Sequence, residues 1–254
     1  GLELAQALGR LGVPVTLFDQ GTRLGKARCD VVHDALQDAI ARDVTLCLGV
    51  ETTASAVDGG IKLSWTGDAA GDQVFSHVLV AVGRPPNLKG LDLDASGLVL
   101  DGHGTPVFDR TTMQCGDAPV FMAGERTPAF ALTFTDPPLA SVGTGPGDGV
   151  ISGRSDYSDQ GRARTEARAE GAVTLYADAQ GRLSGADLCC PGGDHLAHLL
   201  AWSVQSGATA TGLLTMPFYH PTLEEGLKAA LRQICGKTRQ AEPAGRDFGT
   251  PPGA

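Results

Sequence analysis

Aromatic residues make up only 5% of the 254-residue chain, and no apolar run approaches the roughly 20 residues needed to cross a bilayer. Basic charge is also short. Twenty Lys+Arg against 29 Asp+Glu leave a formal charge of −9, so no positive field is available for nucleic-acid phosphates or an anionic membrane. Nucleic acid and membrane are therefore excluded as expected partners, and with no charged-then-apolar leader ahead of Gly1 the expected compartment is cytoplasmic. The cysteines (Cys29, Cys47, Cys115, Cys189, Cys190, Cys235) lack CxxC or CxxxxC spacing and read as reduced, buried or incidental thiols, with no metal site expected. The adjacent Cys189-Cys190 reads as the end of a strand in preference to a redox or soft-metal pair. Glycine (35) and proline (15) amount to about a fifth of the chain, below the level of low-complexity disorder. What is present is a globular composition, 42% hydrophobic, enough for one large or two small cored domains.

The chain opens on Gly1, directly inside a helical run, which reads as a cut within a longer polypeptide. Leu4, Leu8 and Leu11 form a helical stripe that Gly12 stops. Val13–Phe18 is a short apolar run without alternation, as in a strand buried on both faces, and it ends at Asp19. Arg28–Ala41 reads as a second helix, and Val44–Leu48, Ile61–Trp65 and Val74–Val82 as strands. Pro85–Ala123 is rich in loops and ends in an expected strand, Val120–Ala123. Further on, Ala129–Val142 reads as strand and turn, Ala172–Tyr176 and Leu183–Leu188 as a hairpin about Gly181, and the stripes Leu196–Val204 and Leu223–Ile234 as helices. The fold class expected is α/β followed by α+β.

Three places carry candidate chemistry. Gly1 opens a helix and Asp19 closes a strand 18 residues later, the spacing of a dinucleotide site. There the helix N-terminus favours a pyrophosphate, and the acid accepts bonds from ribose hydroxyls, which selects NAD over NADP. Glu3, in the first turn, joins this candidate set. Any helix, however, can open on glycine, and any strand can close on an acid. Second, the run Leu79–Val82 breaks at Gly83-Arg84, where backbone can approach a ligand or simply turn. Third, His220 precedes a helix with Glu225 five positions on. Thr222-x-x-Glu225 is equally a capping box, with Glu225 bonding back to the cap amide.

The string VLVAVGRPPN (78–87), Leu91-Asp92-Leu93, Val120–Glu125, Phe134–Gly143, Gly161–Thr165 and Met216–Glu225 occur in an order that resembles the flavin-dependent pyridine nucleotide-disulfide oxidoreductases. The resemblance covers roughly residues 1–235 and is strongest to the dihydrolipoamide dehydrogenase-like members. It implies a partial Rossmann-like NAD-binding domain (1–84), a remnant of the FAD-contacting layer (85–128) and an α+β dimerisation domain (129–236); the tail after Gly236 has no periodicity and is expected to be disordered (237–254). It makes His220 the acid/base residue and Glu225 the group that orients it; a histidine, with an ordinary pKa of about 6.5, exchanges a thiol proton near neutrality. It places Gly83, Arg84, Gly124 and Glu125 at cofactors, and it implies NAD, FAD and a homodimer acting on a lipoyl-bearing protein or small disulfide. His220 of one subunit would serve the disulfide of the other.

The chain departs from that pattern. It lacks the FAD-domain glycine fingerprint and the Cys-x4-Cys disulfide, and Glu125 stands where the family has Asp. Only Arg126–Thr133 fills a segment that is much longer in the family. The chain alone is therefore expected neither to retain FAD nor to turn over lipoamide. A glutathione-reductase-like NADPH enzyme and a non-catalytic dimerisation or nucleotide-binding module are the competing readings. The mercuric reductases, whose cysteine pair is terminal, are set aside because the pair here is internal.

Overall fold

The computed structural model describes residues 1–83, 86–109, 112–123 and 130–240. Of these, residues 1–78 and 130–240 form one compact unit, and the described residues from 79 to 123 a second, smaller one.

In the first unit, α1 (Leu2–Arg10) leads to β1 (Thr16–Asp19), and α2 (Asp30–Ala41) to β2 (Thr45–Leu48). Gly12 stops α1 with φ 87°, its amide bonding to Gly9 and that of Val13 to Leu8, a left-handed close that a side chain disfavours. β1 and β2 pair in parallel, from Thr16↔Thr45 to Asp19↔Leu48. An antiparallel meander follows: β3 (Val50–Val57), β4 (Gly60–Gly67) and β5 (Gly71–Phe75). Phe18 of β1 seats against it, with its ring 5.0 Å from Trp65 and 6.0 Å from Phe75.

The rest of this unit is a five-stranded antiparallel sheet of β6 (Phe130–Thr133), β7 (Leu139–Gly143), β8 (Ile151–Asp156), β9 (Ala172–Ala177) and β10 (Leu183–Cys189), in the order β6-β7-β10-β9-β8. The short α3 (Gly161–Thr165) joins β8 to β9; α4 (Gly193–Gln205), α5 (Ala210–Leu214) and α6 (Leu227–Thr238) follow β10. Strand alternation divides the sheet's residues between two cores. Val173, Leu175 and Ala177 of β9 and Ala186 and Leu188 of β10 join Leu196, Leu200, Leu231 and Ile234 from the helices. Cys189 instead joins Val32, Leu36 and Ile40 of α2. Both faces of the sheet are thus covered, which is why β9 is buried at every position.

Several elements depart from the sequence reading. The strand expected over Val74–Val82 ends at Phe75; Val80 and Val82 are 75% and 95% exposed. An apolar run reads as a buried strand only if strands flank it, and Leu79–Val82 lie in no strand. Val120–Ala123 contributes a single bridge, Phe121 to Gln114. Lys237 and Thr238, assigned to the aperiodic tail, continue α6, where the Thr238 hydroxyl donates to Ile234 O and Lys237 Nζ to Ser152 O. Residues 241–254 lie outside the described residues. The smaller unit is mostly irregular, with a 3-10 turn at Leu93–Ser96.

Candidate functional site

His220 sits in the loop before a 3-10 turn, Glu224–Gly226, that runs directly into α6. Its Nδ1 lies 2.8 Å from Glu225 Oε2; the imidazole is 80% exposed and the carboxylate 20%. With Nδ1–H donating to the carboxylate, Nε2 keeps its lone pair for a second proton. The same Oε2 accepts the Thr222 amide at 3.4 Å, while Oε1 accepts Lys228 Nζ at 3.2 Å. Burial raises the pKa of Glu225, but the hydrogen bonds from His220, Lys228 and the Thr222 amide outweigh it and hold the carboxyl below its ordinary value. Only half of the capping box forms. Glu225 bonds back to the Thr222 amide, but the Thr222 hydroxyl donates to Tyr219 O at 2.8 Å.

The turn is held from below by β8 and α3. The Tyr157 hydroxyl donates to Leu223 O at 2.9 Å, Gln160 Nε2 to Thr222 O at 2.6 Å, and the Ser155 hydroxyl to Gly226 O. Tyr157 is fully buried. A Cβ added at Gly226 would stand 2.5 Å from its ring, so the glycine lets the turn close down on the aromatic. Sequence reasoning missed Tyr157, Gln160 and Lys228. The i, i+3 spacing of Glu225 and Lys228 on a helix was an available signal for the last.

The nucleotide candidates of the first unit lie on α1 and β1. Gly1 is the N-cap of α1 and contributes no side-chain cap. Glu3 directs Oε1 to the Phe134 amide at 2.6 Å, tying α1 to the segment before β7. Asp19, exposed at the end of β1, accepts the Gly21 amide at 2.8 Å. Of the basic residues that follow, Arg23 bonds Asp30 and Ala27 O and Arg28 bonds Asp187, while Lys26 is exposed. The N-terminus of α1 and the exposed Asp19 carboxylate have the chemistry to receive a phosphate and a ribose hydroxyl of a pyridine nucleotide. Gly83 belongs to the unit of residues 79–128, with φ 154° and open space around it. Arg84, Gly124 and Glu125 lie outside the described residues, so a flavin finds no demonstrated fit here.

Cys189 and Cys190 are buried at the end of β10. Burial pushes the Cys189 thiol up to about 12 and the Cys190 thiol well above its ordinary value, so both stay protonated. Among the described residues, no group of three His, Cys, Asp or Glu side chains is placed to hold a metal ion, and no helix is long and apolar enough to cross a membrane.

The chain is 30% identical to the mercuric reductase of Acidithiobacillus ferrooxidans, over 94% of its own length and 50% of the relative's. It is 27% identical to the dihydrolipoyl dehydrogenase of Haloferax volcanii, over 93% and 58%. It thus spans about half the length of these curated relatives, and mercuric reductases, set aside on the sequence, stand beside dihydrolipoyl dehydrogenases. Among solved structures, the HOCl-induced flavoprotein disulfide reductase RclA of Escherichia coli, as its Cu(II) complex, superposes with a TM-score of 0.77 at 17% identity, covering 90% of this chain and 60% of that one. LpdA of Mycobacterium tuberculosis gives 0.75 at 20%, covering 92% and 59%. Residues 1–147 match the pyridine nucleotide-disulphide oxidoreductase model, and residues 129–231 the dimerisation domain of the same family. The chain belongs to the pyridine nucleotide-disulphide oxidoreductase family.

Proposed function

We propose that His220 and Glu225 are the acid–base element of an NAD-linked disulfide oxidoreductase most like dihydrolipoamide dehydrogenase. The observation that carries this reading is the 2.8 Å contact of Nδ1 with a carboxylate, on a ring left 80% exposed. Glu225 fixes the tautomer, and Nε2 takes the proton of a substrate thiol as its sulfur attacks a disulfide; the old S–S bond breaks, and the imidazolium gives the proton to the released thiolate. NAD+, when bound, supplies the hydride acceptor; Asp19 and the N-terminus of α1 would hold its ribose and phosphates. The disulfide that His220 serves belongs to a second copy of the parent enzyme. Leu199 and Trp202, 39% and 62% exposed and three apart on α4, support an apolar dimer surface. FAD belongs to the complete enzyme, and no step is assigned to it here.

The test joins this chain behind the FAD- and disulfide-bearing half of a dihydrolipoyl dehydrogenase. The expected result is NAD+-dependent oxidation of dihydrolipoamide, with His220→Gln lowering kcat about 10²–10⁴-fold. Undiminished turnover by His220→Gln overturns the acid–base role. A preference for NADPH, with glutathione disulfide or mercuric ion as acceptor, moves the enzyme to another branch. The chain alone, supplied with FAD, is expected to carry no visible flavin band.

A further inference from the structure

Lys228, in the first turn of α6, is fixed from two sides. Its Nζ lies 3.2 Å from Glu225 Oε1 and 4.7 Å from the centroid of the Phe218 ring, two residues before His220. A lysine on an open surface spreads over many rotamers; this one is 27% exposed and held by a carboxylate and an aromatic face together. We infer that Lys228 is a positioning residue of the His220–Glu225 pair: it engages one carboxylate oxygen so that the other points at His220 Nδ1, and its charge offsets the carboxylate's attraction for a second proton on the ring. This rests on the acid–base role proposed for His220, but the coupling itself exists in the chain as it stands.

An anion beside an imidazole favours its protonated form, and a cation on the same carboxylate opposes that effect. Other ionisable groups stand on the packed elements. Asp156 of β8 accepts the Ser158 amide, Tyr157 donates to Leu223 O, and Asp194 at the start of α4 faces His195. Arg154 of β8 meets Gln233 of α6 through its backbone, and Glu224 is the neighbouring acid on the turn itself. Lys228 is a cation in direct contact with the carboxylate of the pair.

The test is an NMR titration of the His220 ring in this chain, in the parent, Lys228→Met and Lys228→Arg. Methionine keeps the aliphatic stem near Phe218 and removes the charge. Lys228→Met is expected to raise the midpoint by on the order of half a pH unit, a shift that shrinks in about 1 M salt, while Lys228→Arg leaves it near the parent's. In a Glu225→Gln background the effect of Lys228→Met is expected to vanish, since the carboxylate transmits it. If Lys228→Met does not fold, Lys228→Gln gives the same reading. A midpoint unmoved by loss of the charge, or raised equally by arginine, overturns the inference. Because turnover of His220→Gln is a separate measurement, a null titration beside a large kcat loss rejects Lys228 alone.

Discussion

Glu225 gathers the site into one carboxylate, which accepts from His220, Thr222 and Lys228 at once. Its pKa in the fold is below the ordinary value, so the interaction stabilises the native state above about pH 4.3 and is lost as the pH falls through the lowered folded value. Glu225→Gln is therefore expected to lower Tm at pH 7 by on the order of 2 °C, with the gap closing as the parent's own carboxylate is protonated. Thermal melts from pH 7 down to pH 3 measure this, and a gap of constant size across that range contradicts it. At this scale the sequence was legible where partners are near neighbours. His220 and Glu225 are five apart, and the motif names both. Tyr157 and Gln160 hold the same turn from 66 and 62 residues away, and no local spacing encodes that pairing.

At the scale of elements, the close packing of the Glu224–Gly226 turn on β8 and Tyr157 sets the position of the His220–Glu225 pair. Gly226→Ala would drive a methyl to within 2.5 Å of the fully buried Tyr157 ring, which has no room to yield. The expected cost is about 1–3 kcal/mol, several degrees in Tm, with broadening of the His220 ring resonances as the turn shifts. Unchanged stability together with unchanged His220 signals would show that the turn does not depend on this contact. β8 itself was missed in the sequence because its residues, Ile151–Asp156, do not alternate in hydropathy. Gly153 explains the irregularity: a Cβ there would meet Ala230 O at 2.0 Å, so the strand gives up a side chain to let α6 approach. β3 was missed for the opposite reason. It is exposed at every position after Val50, and its Thr, Ser and Ala residues print no buried face. α4 and α6 were legible because each buries one stripe against the sheet, whereas α3 and α5, five residues each, are too short to show one.

At the scale of the molecule, the α/β segment and the antiparallel sheet share one compact unit, which the separate motifs of the sequence did not indicate. The link is Asp187 of β10, fully buried on the face toward α2. Its carboxylate accepts Arg28 Nε at 2.8 Å, the Ser141 hydroxyl at 2.7 Å and the Tyr176 hydroxyl at 2.8 Å. Burial, then the Cys29 thiol and Asp187, raise the Tyr176 phenol far above its ordinary value, so it remains a donor. Arg28 also donates to the carbonyls of Val142, Gly143 and Ala186, stitching the entry of α2 to β7 and β10. Removing the guanidinium leaves a buried charge with two hydroxyl donors and no counter-ion. Arg28→Met is expected to cost about 3–5 kcal/mol, and Asp187→Asn in that background to recover part of the loss by removing the charge. The chain's two tryptophans localise the effect, because Trp65 lies in β4 and Trp202 on α4. In single-tryptophan versions of the parent the two urea transitions should coincide. In Arg28→Met the Trp65 transition should fall to lower urea than that of Trp202, since the α2 side of the sheet loses its polar anchor while the core beneath α4 and α6 is untouched. Coincident transitions in Arg28→Met, at the parent's midpoint, would show that apolar packing of α2 alone joins the two halves.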